Sequence, residues 1–520
     1  MEPIMANKTL FGTQRGIKRA DGWNQAGGRA YKLEDREALA QLAMTGTLGD
    51  AYYMDAQAQL SELLEAAAKV EPDFLAKTAI YVRRNGHMKD TPAVLLAALA
   101  SISPEHLSQA FPRVIDNGRM LRNFVQILRS GATGRRSLGT RPKKLVQTWL
   151  NEASDETLLW ASVGQSPSLA DIIKMVHPKP TSKQREAFYA WLIGRPADVR
   201  LLPRTVQEYL AFRETAGGAP VPNVPFQMLT ALPLNQRQWT RVAERAGWQM
   251  LRMNLNTFLR HGVFERATVR RALAARLADR KAIEKARVFP YQLMAAWMNI
   301  DEKVPSELRD ALADAMEIAV ENAPELGGQI VICPDVSGSM MAPVSGHRRG
   351  ATSKMTYVDV AALVASAMLR RNPSARIMPF DTKVHDVKIT PRDRVVKNAK
   401  LLASYWGGGT ACSAPIVKLN AEKACVDMVI LVSDNQSWLD QPVRGGTAVM
   451  EEWVKLKRRC PDAKLVCLDI APYADTPAHS RPDVLNIGGF SDVTFDLIAD
   501  FARDRLGTDR WVGEIAKVPL

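Results

Sequence analysis

The apolar residues of this chain keep one period up to about residue 325 and another afterwards, and that single change constrains its fold more than any other feature. From about residue 32 to residue 325 they recur three to four apart, as in Leu60, Leu63 and Leu64 or Val269, Leu273 and Leu277. This spacing gathers side chains on one face of a helix. Breaks rich in Gly, Pro or Asn (TGTLGDAYY, RRNGHMKDTP, NGRM, SGATG, GGAPVPNVP) come at intervals that suit antiparallel helix pairs. After Gly327 nearly continuous apolar runs, GQIVICPDVSGSM, ARIMPFD, VDMVILVSD and AKLVCLDI, alternate with helical segments such as TYVDVAALVASAMLRRN and GTAVMEEWVKLKRRC. Strands apolar on both faces and separated by helices predict a parallel, doubly wound sheet. Two domains are therefore expected: an all-α, HEAT-like helical-repeat body over 1–327, with residues 1–31 as an arm packed on it, and an α/β, Rossmann-like domain over 328–520. The last helix is expected from about Ser491 to Arg505.

With 520 residues, 46% hydrophobic and 24% charged, the chain can bury more than one core and falls among globular proteins rather than disordered or fibrous ones. No run approaches the roughly 18 uncharged apolar residues of a membrane span, and MEPIMANKTLFGTQRGIKR lacks the apolar centre of a secretory signal. A cytoplasmic protein without membrane contact is expected. The five cysteines, Cys333, Cys412, Cys425, Cys460 and Cys467, never fall as CxxC, so they predict small buried thiols rather than a disulfide framework or a zinc site.

The net charge of +14 is unevenly placed. Residues 1–100 carry 12 basic and 12 acidic side chains, 101–300 carry 30 and 14, 301–327 carry 2 and 8, and 328–520 carry 25 and 21. The excess lies in the middle two hundred residues. From Asn117 to Asn151 the chain contains Arg119, Arg122, Arg129, Arg135, Arg136, Arg141, Lys143 and Lys144 with no carboxylate. Cations without local partners, beside the Gly, Ser and Thr of GATGRRSLGTRPKK, predict a site for a phosphate-rich polymer. A second basic stretch, Arg260 to Arg287, is interrupted by Glu265, Asp279 and Glu284 and reads at least as well as a solvated face, with Arg260 and His261 better placed as a loop contact.

Three polar clusters are predicted at the carboxyl ends of the strands, where open α/β sheets bind ligands. Asp335, Ser337 and Ser339 follow the first strand as D-x-S-x-S, Thr410 follows Gly407 to Gly409, and Asp434 ends VDMVILVSD. Hydroxyls with one or two carboxylates and no Cys or His suit a hard cation such as Mg²⁺. A catalytic reading would need a base beside the metal. His347 and His385 are the nearby candidates, and neither stands at a metal-ligand spacing. With no P-loop, nucleophile elbow or zinc-protease helix, a non-enzymatic protein is expected, with a metal-dependent nuclease as a distant possibility.

The D-x-S-x-S, Thr, Asp constellation resembles the metal-ion-dependent adhesion site of von Willebrand factor A domains, over about 190 residues. NQAGGRAYKLEDREALAQLAMTGTLGDAYY, TRPKKLVQTWLNE through IKMVHPKP, and LRMNLNTFLRHGVF with RVFPYQLMAAW resemble the TROVE module of the Ro autoantigen family. The domain order is also similar, and Asp434-Asn435 and Trp438 resemble the Ro version of the A domain. The resemblance implies a monomeric ring that binds Y-like small noncoding RNA on a basic outer surface and 3′ single-stranded ends of misfolded or damaged RNA in its hole. It also implies RNA quality control together with an exoribonuclease of the polynucleotide phosphorylase type. Carried over by position, Arg141, Lys143 and Lys144 match the basic helix entry, and His177 with Lys179, preceded by Lys174, matches the family's His at the end of an RNA-contacting helix. Trp149, beside them, reads as core. The chain departs from the animal proteins' basic loop, having no Lys or Arg between Lys144 and Lys174, which leaves RRSLGTRPKK to supply the charge. The alternative reading is a metal-dependent protein-interaction adaptor working through the A domain.

Overall fold

The protein is described here from a computed structural model covering residues 18–215, 220–286, 290–344, 354–440, 445–489, 491–506 and 509–520. His347 and Arg287 lie outside these residues. From Asp35 to Ala319 the described chain runs through successive helices, many packed on the next or the next but one, as Pro72–Arg84, Thr91–Ile102 and Pro104–Val114 show. Local chemistry sets their ends. Asn117 caps Gly118–Ser130 by accepting from the Arg119 and Met120 amides, and Gly131, at φ 93°, stops it in the left-handed region that glycine tolerates.

Five parallel strands form the second half in the order β4 (Arg376–Ile377), β3 (Ile330–Pro334), β5 (Met428–Ser433), β6 (Lys464–Asp469) and β8 (Val484–Gly488). Every residue of β3, β5 and β8 is buried, which is why these strands read as apolar runs. Successive side chains divide between two cores. Val331, Cys333, Val429, Leu431, Leu465 and Cys467 pack with Trp453 on one face. Ile330, Ile332, Met428, Ile430, Val432, Val466 and Leu468 join, on the other, a core continuous with the helical half. Helix Tyr357–Arg371 starts at a Thr356 capping box with Asp359. Beyond helix Asp492–Ala502 a further helix, Arg510–Ala516, ends the chain. Four of the five cysteines are buried; Cys425 is exposed, against expectation, because it stands in the turn before β5.

Both ends of the helical half meet the sheet domain. Asp35–Thr45 packs on β8, and Arg510–Ala516 packs on Pro72–Arg84. Pro290–Met298 packs on Tyr357–Arg371, and Ser306–Ala319 on Val395–Ala403. The chain is thereby closed on itself. The arm corrects the expected arrangement: it belongs to the sheet domain. β1 (Gly22–Trp23) pairs with β2 (Arg29–Lys32), and β2 pairs with β7 (Asp475–Thr476). Asn24 Nδ2 donates to Ser437 O at 2.7 Å, and the Gln25 amide donates to Gln436 Oε1 at 2.8 Å. A Cβ on Gly28 would lie 1.8 Å from Ser437 O, so only glycine allows this approach. Gly28→Ala is expected to destabilise the protein by about 1–3 kcal/mol, as overpacking does. Denaturant unfolding beside wild type checks it, with faster proteolysis of the arm as the accompanying sign.

Candidate functional site

The strand ends bring the predicted metal residues together. Asp335 follows β3 and accepts from the Ser337 amide (2.8 Å, Oδ1) and from the Ser433 hydroxyl (2.6 Å, Oδ2). Ser337 Oγ and Ser339 Oγ stand 3.3 Å apart. Asp434 follows β5 and accepts from the Gln436 amide at 3.1 Å. The Thr410 loop is tied to both neighbours: the Gly338 amide donates to Gly408 O at 3.1 Å, and the Trp438 and Leu439 amides donate to Thr410 O at 3.2 and 3.1 Å. Gly408 has φ 65° and would drive a Cβ to 2.8 Å from Asp381 Oδ2, which accounts for glycine there. All five candidate ligands are buried, none above 4% exposed.

Burial pushes the Asp335 carboxyl up to about 7, with the nearby Asp434 charge adding to it, and burial raises Asp434 as well. Hydroxyl and amide hydrogen bonds oppose these shifts, while no Lys, Arg or His among the described residues forms an ion pair with either carboxylate. Two buried carboxylates side by side without a cation are costly. The Tyr357 hydroxyl, also buried, has no hydrogen-bond partner among the described residues and feels the Asp469 and Asp434 charges. No group of three or more His, Cys, Asp or Glu among the described residues is placed to hold a metal. Two carboxylates with three hydroxyls are an all-oxygen set, and they fit a small hard cation. His385 stands 3.0 Å from Asp381, which accounts for it as a local ion-pair partner.

The basic run divides into two places. At one end of helix Gly118–Ser130, Arg129, Arg136, Lys143 and Lys144 line a cleft of about 760 Å³ with Ser137, Gly139, Thr140 and Gln147. Thr140 opens helix Thr140–Glu152, whose first amides add to the positive potential there. Gln147 Nε2 donates to Val176 O at 2.6 Å and Asn151 Nδ2 to Lys179 O at 3.0 Å, so the exposed Lys174, His177 and Lys179 adjoin the same surface. His177, at φ 50°, ends helix Leu169–Val176. Among the described residues none of these Lys and Arg side chains forms an ion pair.

Arg119 and Arg122 stand at the helix's other end. Arg122 Nη1 donates to Ala161 O at 2.7 Å. The Lys89 ammonium is pushed down, first by its surroundings and then by Arg119 and Arg83, and also by Arg252 from helix Trp248–Met253. Lys89 is solvent-exposed. Sequence reasoning missed Lys89 and Arg252 because they stand singly. Arg135 is committed to the Ala100 carbonyl, and Arg141 Nη1 donates to Ser108 Oγ at 3.1 Å. Arg260 is exposed, with only Thr257 bonded, and His261 stacks on Trp239 at 3.9 Å, away from the cleft residues in sequence and contacts. Trp149 is half-buried, its indole donating to Ile115 O at 2.9 Å. Arg270 and Arg280 pair with Glu307 and Glu321, so the second basic stretch is partly neutralised.

Comparison with known proteins agrees with this architecture. The Ro60 vWA domain family model matches residues 329–502, and the TROVE domain model matches residues 239–343. The RNA-binding protein RO60 of Deinococcus radiodurans is 26% identical over 522 residues, covering 92% of this chain and 95% of the relative. The RNA-binding protein RO60 of Caenorhabditis elegans is 22% identical over 248 residues, 45% of this chain and 37% of that protein. The crystal structure of the Deinococcus radiodurans RO (RSR) protein shares the fold at a TM-score of 0.60 and 21% identity, over 91% of this chain and all of that one. The chain is thus similar to the Ro proteins: it matches a TROVE domain model and a Ro60 vWA domain model, and it resembles one RNA-binding protein RO60 over 92% of its length.

Proposed function

We propose that this protein binds RNA, and the observation that carries the reading is the cleft in which Arg129, Arg136, Lys143 and Lys144 stand with no carboxylate partner. Unneutralised cations beside hydroxyls and helix-start amides attract phosphates of any sequence. The named relatives are RNA-binding proteins, and one of them is similar over 92% of this chain, which supports the same reading here. On this reading the cleft and the adjoining Lys174, His177 and Lys179 take a structured, Y-like small noncoding RNA. Unpaired 3′ ends of misfolded or damaged RNA are taken by the helical half and handed on to an exoribonuclease of the polynucleotide phosphorylase type. The protein acts as a cytoplasmic, monomeric binding component of RNA quality control, with the chemistry left to its partner enzyme. Among the described residues no helix is long and apolar enough to cross a membrane.

In the A domain, Asp335, Ser337, Ser339, Thr410 and Asp434 would hold a divalent cation, Mg²⁺ by donor type. The cation supplies positive charge that lets both buried carboxylates ionise.

The test is to crosslink the protein in its native cells, purify it in mild salt and sequence the attached RNA. One abundant small RNA together with assorted 3′ ends is expected. Recovery of no RNA above background, with a protein partner that survives ribonuclease and is lost in Asp335→Ala, would overturn the reading in favour of an adaptor.

A further inference from the structure

The candidate cation site faces the chain's own beginning. Tyr53, in the connection between helices Asp35–Thr45 and Ala56–Lys69, donates its amide to Tyr473 Oη at 3.2 Å, and the two rings lie 6.3 Å apart. The Tyr53 phenol lies against Ser339, one of the candidate ligands; burial together with the Asp434 charge pushes it up to about 12. Tyr357 and Tyr473 are also buried, and the Asp434 charge helps to push both phenols up.

A second contact reaches the same carboxylate from the arm. Asp434 Oδ1 accepts from the Gln436 amide, and Gln436 Oε1 accepts from the Gln25 amide. Gln436 Nε2 donates to Asp475 Oδ1 at 3.1 Å, next to the β2–β7 pairing. Asn24 and Gly28 grip Ser437 and Trp438 in the same loop. An adhesion site that recruits an outside carboxylate keeps one metal position open to solvent, whereas here the five oxygen-bearing side chains are buried and the arm is seated on the loop that follows Asp434.

We propose that the cation site is an internal fastener: Tyr53 and the Asn24–Gly28 arm cover its outward side, so that filling it locks the helical half onto the sheet domain instead of recruiting an acidic partner. A cation at Asp434 orders the loop on which the arm is seated, and the seated arm and Tyr53 close the cation in. Such coupling is reciprocal: whatever the cation adds to closure, closure adds to cation affinity. The inference rests on the metal reading and is independent of RNA binding.

The full-length protein is compared in EDTA and in Mg²⁺ by hydrogen exchange, and Mg²⁺ affinity is measured by calorimetry. Mg²⁺ is expected to slow exchange in residues 24–28 and 48–54 by about tenfold, the size of a typical coupling energy. Tyr53→Ala is expected to weaken Mg²⁺ binding by roughly five- to tenfold for the same reason. Tyr53→Phe, which keeps the ring packed on Tyr473, serves if the alanine variant folds poorly, and is expected to lose part of that affinity. Mg²⁺ binding that leaves both segments' exchange unchanged would overturn the fastener while leaving the metal site standing. Acetate that tightens Mg²⁺ binding to wild type as much as to Tyr53→Ala would overturn it also, since the site would then be open to outside carboxylates. Absence of any Mg²⁺ heat would overturn the metal reading and the fastener with it, leaving RNA binding untouched.

Discussion

Replacing Arg129, Arg136, Lys143 and Lys144 together by alanine is expected to weaken binding of single-stranded RNA roughly a hundredfold near 0.15 M salt, if each cation neutralises one phosphate. The dependence of log affinity on log salt should flatten by up to about three, since each lost single-strand contact removes about 0.7 from the slope. The four side chains line one cleft and form no ion pairs, so their removal leaves no buried charge behind. Folding stability should change little, because exposed cations without partners contribute little to it. Filter binding or fluorescence anisotropy at several salt concentrations separates this outcome from its rival. Unchanged affinity and slope would show that the cleft merely keeps the helical half soluble. The triple change Arg122, Arg135 and Arg141 to alanine makes the contrasting control, because these residues are spent on Ala161 O, Ala100 O and Ser108 Oγ. That triple change should lower stability more than the salt slope.

The second large effect concerns the metal-free protein and pH. The Asp335 carboxyl is held near 7 in the fold against an ordinary value of 3.8, and Asp434 is raised beside it. A raised carboxyl binds its proton more tightly when folded than when unfolded. Its stabilising effect is complete below about 4 and is lost as pH climbs towards 7, so in EDTA stability should fall across that window, by up to about 4 kcal/mol from Asp335. Saturating Mg²⁺ should reverse the trend, because the cation favours the ionised pair, and a hundredfold excess over its Kd adds about 2.7 kcal/mol. Urea unfolding of wild type and Asp335→Asn at several pH values, with and without Mg²⁺, reads both effects. The asparagine variant should show the flatter profile in EDTA and no response to Mg²⁺. Equal slopes in the two proteins would mean that Asp335 ionises freely in the fold.

The switch of apolar period at Gly327 was enough to place the helical half before the sheet, because burial on one helix face and on both strand faces leaves different spacings. The places of Asp335 and Asp434 were legible too, since the chain passes from strand to polar turn at each of them, whereas Thr410 follows a helix and a glycine loop. β8 was not: VLNIG is short and hemmed in by Pro482 and Gly489, and its end at Gly488 is covered by Gln41 and Thr45 of a helix more than four hundred residues away. The arm read as a polar, glycine-rich tail because its strands are two and four residues long and take their partners from residues 475–476. Among the cations, neighbours in sequence such as Arg135 and Arg136 look alike, yet one is bonded to a carbonyl and the other lines the cleft. Such differences are tertiary.

The seam between the arm and the Gln436–Thr476 region also dictates the order in which the molecule can be assembled. Asn24, Gln25 and β2 find their partners only after Gln436, Ser437 and β7 have been synthesised. During translation the helical half therefore emerges with one edge unshut, and its final shutting is a late event spanning most of the chain, the kind of long-range pairing that slows folding. A polymer already lying across that edge when the seam shuts would be encircled, held afterwards by the connectivity of the backbone as well as by charge.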